Sequence, residues 1–201
     1  MPSTLHSASR TGNLTKVLTF LQKGADPNLQ DEGGNTPLLW AAGLGQIEVV
    51  RALLSYRADI NIANRSRYTP LMSAARNCRR QCVELLLDAG AIVDARDESG
   101  VTALILASGN GVPETVQSLL EHGADVNAVT PKGFTPLMAG ACHNSAPIGI
   151  ILKILSILVK HGANVKAQTE DGSTALMFAL ERGPAVKVEF LQKAEAAQGA
   201  A

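Results

Sequence analysis

One phrase recurs along this chain at a fixed interval, and that interval leaves few folds open. Thr36, Thr69, Thr102 and Thr135 stand 33 residues apart and open TPLLWAA, TPLMSAA, TALILAS and TPLMAGA; Ser3 opens STLHSAS one period earlier, and Thr174 opens TALMFAL after 39. A second landmark keeps step: Gly24-Ala25-Asp26, Arg57-Ala58-Asp59, Gly90-Ala91-Ile92, Gly123-Ala124-Asp125 and Gly162-Ala163-Asn164. In each copy the threonine hydroxyl is placed to cap a helix, and proline, where present, takes the first helical position, where a missing amide hydrogen costs little. Ile47, Val50, Leu53 and Leu54 then recur at three- and four-residue spacing, the buried stripe of a second helix. The unit is helix, turn, helix, extended loop, and its apolar face is buried only by stacking on its neighbours.

A 33-residue period carrying T-P-L-x-x-A-A, glycine, an apolar stripe and G-A-D-x-N resembles the ankyrin repeat. The resemblance covers essentially the whole chain and implies an all-α solenoid with projecting β-turn finger loops. It implies one domain, 1–201, in units of about 1–34, 35–67, 68–100, 101–133, 134–172 and 173–201, the first and last acting as caps and the fifth carrying a six-residue insertion. His6 stands in the histidine column of the family's T-P-L-H motif, where the imidazole ties neighbouring loops together. Trp40, the one tryptophan, reads as a wedge between helix pairs, with partial exposure to a partner as the other reading.

The third unit departs from the pattern. Arg67 replaces the glycine of the finger turn and Cys78 the glycine that ends helix one. Glycine there normally takes a positive φ, which other residues adopt at a cost of about 1–2 kcal/mol, so either the turns differ or strain is tolerated. Arg80 stands in the apolar column of Leu14 and Ile47 and is expected to lay its stem on the core edge with its guanidinium in water. In the fifth unit the insertion is expected to lengthen the turn around His143 to Pro147 and the second helix from Ile148, offering partner contacts. Lys187, Glu189, Gln192, Lys193 and Glu195 are expected to form a polar outer side on the last helix, whose alanine-rich end is expected to fray.

Eighteen basic and eighteen acidic residues give zero formal charge, so no global attraction draws the chain to nucleic acid or an anionic membrane. Three cysteines without a short-spaced framework read as reduced thiols of an intracellular protein, cytoplasmic or nuclear. The run from Ile148 to Val159 is too short and too interrupted to span a bilayer, so membrane insertion is not expected. Catalytic arrangements of adequate specificity are lacking: Asp31-Glu32 and Asp97-Glu98 read as solvated finger charges, and Gly109-Asn110-Gly111 is a turn and not a phosphate loop. Cys78 and Cys82 fall in a turn and a helix, with Cys142 two repeats away, which argues against a zinc site. Cys78, flanked by Arg76, Arg79 and Arg80, is a candidate reactive thiol. No cofactor, metal or small-molecule substrate is expected, and the chain is not expected to be an enzyme.

One local feature exceeds background. Between Arg51 and Arg80 there are seven arginines, Arg51, Arg57, Arg65, Arg67, Arg76, Arg79 and Arg80, against the single carboxylate Asp59. Arginine suits bidentate recognition of carboxylate or phosphate and stacking on planar groups. The ankyrin resemblance implies that finger loops and the exposed side of helix one hold a partner. Carried over column by column, these positions run from Gln30, Glu32, Gly33, Asn35 and Leu44 to Glu170, Asp171, Ser173 and Arg182, and the partner-binding candidates among them are Arg65, Arg67, Tyr68, Arg76, Asn77, Glu98, Val101, Asn110, Lys132, Phe134 and His143. The expectation is a non-catalytic protein-binding adaptor, inhibitor or subunit whose arginine-rich third unit favours an acidic partner segment. Neutralisation of the cluster by acidic neighbours is the bland alternative; nucleic-acid binding through the same patch is the competing function.

Overall fold

Each repeat begins where its threonine says it should. In a computed structural model, which describes residues 4–143 and 145–199, the hydroxyls of Thr36, Thr69, Thr102, Thr135 and Thr174 accept the amides of Leu39, Met72, Ile105, Met138 and Met177 at 3.1–3.4 Å. Such caps contribute about 1 kcal/mol each. Ser3 lies outside the described residues; the cap of the first helix is Thr4, whose hydroxyl accepts from the Ser7 amide at 3.2 Å.

Twelve helices and no strand are found among the described residues. The chain divides into two compact units, the first ending at Glu98 and the second starting at Ser99. The first holds α1 (Leu5–Arg10), α2 (Leu14–Gln22), α3 (Pro37–Leu44), α4 (Ile47–Ser55), α5 (Pro70–Arg76) and α6 (Arg80–Asp88). Its first helices stack in the order α1, α3, α5, and its second helices in the order α2, α4, α6. Leu38, Ala41, Ala42, Leu71, Ala74 and Ala75 fill the layer between, and the small alanines let the helices lie close.

The second unit repeats this with α7 (Ala103–Asn110), α8 (Pro113–Glu121), α9 (Pro136–Cys142), α10 (Ile148–Lys160), α11 (Ala175–Arg182) and α12 (Ala185–Gly199). The insertion goes where expected: α10 has 13 residues against 9 in α8, and the α9–α10 turn is also longer. Each unit, taken by itself, is an all-α stack of helix pairs joined by projecting loops, as expected.

The Gly-Ala-Asp-x-Asn landmark has a physical purpose. Its asparagine reaches the next repeat: Asn28 Oδ1 accepts the Asp59 amide (2.7 Å), Asn61 Oδ1 that of Ile92 (2.9 Å), and Asn127 Oδ1 that of Asn164 (2.7 Å). Fingers are linked in the same way by backbone, Arg65 N to Gly33 O (3.2 Å), Glu98 N to Ser66 O (3.1 Å) and Glu170 N to Lys132 O (3.1 Å).

One expectation fails in the last repeat. Lys187 is fully buried, not on a polar outer face: its Nζ donates to the carbonyls of Ala141 (2.7 Å) and His143 (2.9 Å). The inserted turn leaves α9 without a left-handed glycine cap, and the lysine supplies donors for its open carbonyls. Burial pulls the Lys187 ammonium below its usual range, with the Cys142 thiol nearby acting in the opposite direction. Near the end of α12, Gln198 donates to Ala163 O (2.7 Å) and accepts from Val165 N (3.1 Å); the last two alanines of the end expected to fray lie outside the described residues.

Candidate functional site

The finger turns decide which side chains can reach a partner. In four finger turns the first residue's amide donates to the carbonyl four residues on: Asp31 to Asn35, Asn64 to Tyr68, Thr130 to Phe134 and Thr169 to Ser173. The residue just before each capping threonine is thereby held at the junction of finger and first helix. Tyr68, Val101 and Phe134 occupy this position, and all three are half-buried.

In the first unit the seven arginines do not form one cluster. Arg51 lies on α4 and Arg57 just beyond it; Arg80 begins α6, where it pairs with Glu84 at 2.7 Å, keeping its charged end at the surface as expected. Arg79 reaches back to the Gly43 carbonyl at 3.4 Å. The remaining three line the finger and first-helix strip: Arg65 and Arg67 on the finger, Arg76 at the end of α5, all exposed. None of these three has a carboxylate partner among the described residues. Tyr68 stands between finger and helix. Burial pushes its phenol above the usual range, and the facing Arg76 guanidinium works against that shift, although no hydrogen bond of good geometry reaches the hydroxyl. Asn77 donates to Ser73 O at 2.8 Å, and both it and Glu98 are exposed.

Arg67 (φ 59°) and Cys78 (φ 58°) keep the left-handed conformation of the glycines they replace, so strain is tolerated, and Arg57 (φ 62°) adds a third case. Cys78 is exposed; Cys82 is buried, and burial raises its thiol to about 11. No group of three metal-ligating side chains occurs among the described residues, and no described helix is long and apolar enough to cross a membrane.

Trp40 gains polar partners that the sequence does not show, and Asp31 corrects its reading. Trp40 is not simply a wedge: its Nε1 donates to Asp31 Oδ2 at 2.8 Å, and the Arg10 guanidinium stands 5.7 Å from its ring. Asp31 is more than a solvated loop charge, because it also accepts from the amides of Gly33 (2.9 Å) and Asn35 (2.8 Å). Burial acts to raise its carboxyl, but the hydrogen bonds from Trp40, Asn35 and Gly33 outweigh it and leave the group below its usual range. His6 has a structural role: Nε2 faces the carbonyls of Leu29 (2.8 Å) and Asn35 (3.2 Å), a placement that requires this nitrogen to carry the proton.

The second unit holds a groove of about 710 Å³ bordered by Val101, Pro131, Lys132, Phe134, Glu170, Asp171 and Phe178. Phe134 and Phe178 meet edge to face, centroids 5.8 Å apart and planes at 75°. Phe178 was not singled out by the sequence. It occupies the helix-one column of Trp40, Ser73, Leu106 and Ala139, and a large aromatic in a column that also holds serine and alanine was the available signal. Asn110 donates to Leu106 O at 2.8 Å, and His143 gives its carbonyl to Lys187 while its own Nε2 is buried with no hydrogen-bond partner among the described residues. The side chain of Arg182 lies outside the described residues.

A family model for ankyrin repeats in three copies matches residues 5–97 and 92–154. Over 37 residues the chain is 51% identical to an ankyrin repeat protein of fowlpox virus (strain NVSL), a match covering 18% of this chain and 20% of the viral protein.

Proposed function

The chain belongs to the ankyrin-repeat family, whose members generally mediate protein–protein interaction, and from that premise we propose that it is a non-catalytic binding module gripping an acidic segment of a partner protein through its third repeat. The observation that carries this reading is the exposure of Arg65, Arg67 and Arg76 around the half-buried Tyr68, none of the three paired with a carboxylate among the described residues. Binding energy concentrates where an aromatic and arginines adjoin, because the guanidinium forms forked hydrogen bonds to carboxylates beside an apolar surface.

The test is fluorescence anisotropy with a labelled glutamate-rich peptide and a labelled single-stranded RNA. Binding of the peptide, weakened about tenfold or more by R65Q/R67Q/R76Q, is the expected result, from three partly exposed charge contacts worth about 0.5–1 kcal/mol each. Tight RNA binding with a steep salt slope and no peptide binding would replace this reading with the nucleic-acid one.

A further inference from the structure

The groove of the second unit differs in chemistry from the arginine strip of the first. Its floor is apolar: Val101, Pro131 and the half-buried rings of Phe134 and Phe178, which keep surface for a further contact. One wall is anionic. Glu170 is fixed through its amide on the Lys132 carbonyl, and its exposed carboxylate has no partner among the described residues. Asp171 is engaged through one oxygen only: Oδ1 accepts from the Thr169 hydroxyl and the Ser173 amide, while Oδ2 has no partner among the described residues. The Thr169 hydroxyl first, and the Ser173 amide after it, hold that carboxyl below its usual range, so it stays charged at neutral pH. Lys132 is the single cation on the border, against two carboxylates.

An apolar floor beside free carboxylates selects one type of side chain. Purely aliphatic groups would cover the phenyl rings but strip water from the carboxylates without replacing it. An acidic side chain would be repelled. Arginine meets both demands, because its methylene stem lies on apolar surface, its plane stacks on aromatic rings, and its fork pairs with carboxylate oxygens. We propose that this groove takes an arginine of an extended partner segment, the stem against Phe134 and Phe178 and the guanidinium against Glu170 and Asp171. The inference rests on the reading of the chain as a protein-binding array, and it assigns the second unit a charge preference opposite to that of the first.

The experiment selects short random peptides displayed on phage against the full chain, then titrates synthetic, labelled versions of the enriched peptides by anisotropy. Three proteins are compared: unaltered, E170Q/D171N and R65Q/R67Q/R76Q. Asparagine keeps the oxygen that Thr169 and Ser173 use, and circular dichroism verifies that the helices persist. Expected are peptides with an arginine beside an apolar residue, whose affinity falls about tenfold in E170Q/D171N and holds in the arginine variant, a loss in keeping with removing the charged partners of a half-buried guanidinium. Phe178→Ser gives a similar loss. Enriched arginine peptides indifferent to E170Q/D171N overturn the inference. Enrichment of acidic peptides alone also overturns it while leaving the protein-binding reading intact. Absence of any enriched peptide sinks both.

Discussion

Replacing Arg57 with glycine should stabilise this protein, although it deletes a whole side chain. Arg57 adopts φ 62° in the column that Gly24, Gly90, Gly123 and Gly162 fill elsewhere with φ between 83° and 90°. A Cβ built on any of those glycines meets nothing within 4 Å, so the column is open and packing does not enter. Arg57 is exposed and its side chain makes no polar contact among the described residues. What remains is the backbone: the left-handed region costs an L-residue about 1–2 kcal/mol, and glycine gives back about 0.5–1 kcal/mol in unfolded-state entropy. The net gain is about 0.5–1 kcal/mol. With a urea slope of about 2 kcal/mol per molar, the unfolding midpoint rises by about 0.3–0.5 M. Gly90→Ala, in the same open column, should lower it by a comparable amount. A midpoint unchanged in both variants, or lowered in R57G, refutes the reasoning. Arg67→Gly, with the same left-handed backbone (φ 59°), should gain a comparable amount.

Lys187→Met strands the carbonyls of Ala141 and His143 in the interior and should cost about 2–3 kcal/mol in urea unfolding, whereas Lys193→Met, an exposed change on the same helix, should cost under about 0.5 kcal/mol. Asp31→Asn should cost about 1–2 kcal/mol at pH 7, because an amide cannot accept from Trp40 Nε1 and the neighbouring amides together. A carboxyl held below its usual range contributes stability that is present above the ordinary value of about 3.9 and lost as pH falls through the folded value. The two proteins should therefore converge in stability at strongly acidic pH, followed by Trp40 fluorescence. Met177 and Met138 share a column, yet Met177 is 49% exposed and Met138 fully buried; Met177→Glu should leave the melting temperature nearly unchanged, while Met138→Glu should cost several degrees or prevent folding.

Much of the fold was legible because each repeat poses the same local problem. Threonine hydroxyls met orphan amides where the 33-residue spacing put them, and the recurring asparagine tied loop to loop. Periodicity identifies equivalent positions but does not say which face a column presents, so Phe178 and the polar partners of Trp40 were missed. Lys187 reads as outward in the sequence because lysine on an amphipathic helix usually faces water. Its burial follows from a vacancy at the end of α9, over 40 residues earlier, created by the insertion. Asp31 failed for a similar reason: a carboxylate on a turn reads as solvated until the indole that donates to it is placed. At Arg67 and Cys78 the sequence posed the right question, different turn or tolerated strain, and only the backbone angles could answer it.

Between Arg57 and Cys78 the chain makes all three of its non-glycine excursions into left-handed backbone found among the described residues. In a stack held by nearest-neighbour contacts, such a stretch is the weak seam, and amide hydrogens of α5 should exchange with solvent sooner than those of α3. The finger arginines are carried on that seam. A ligand that clasps them would quiet its opening, and protection gained in α5 on binding would register occupancy without any change of shape.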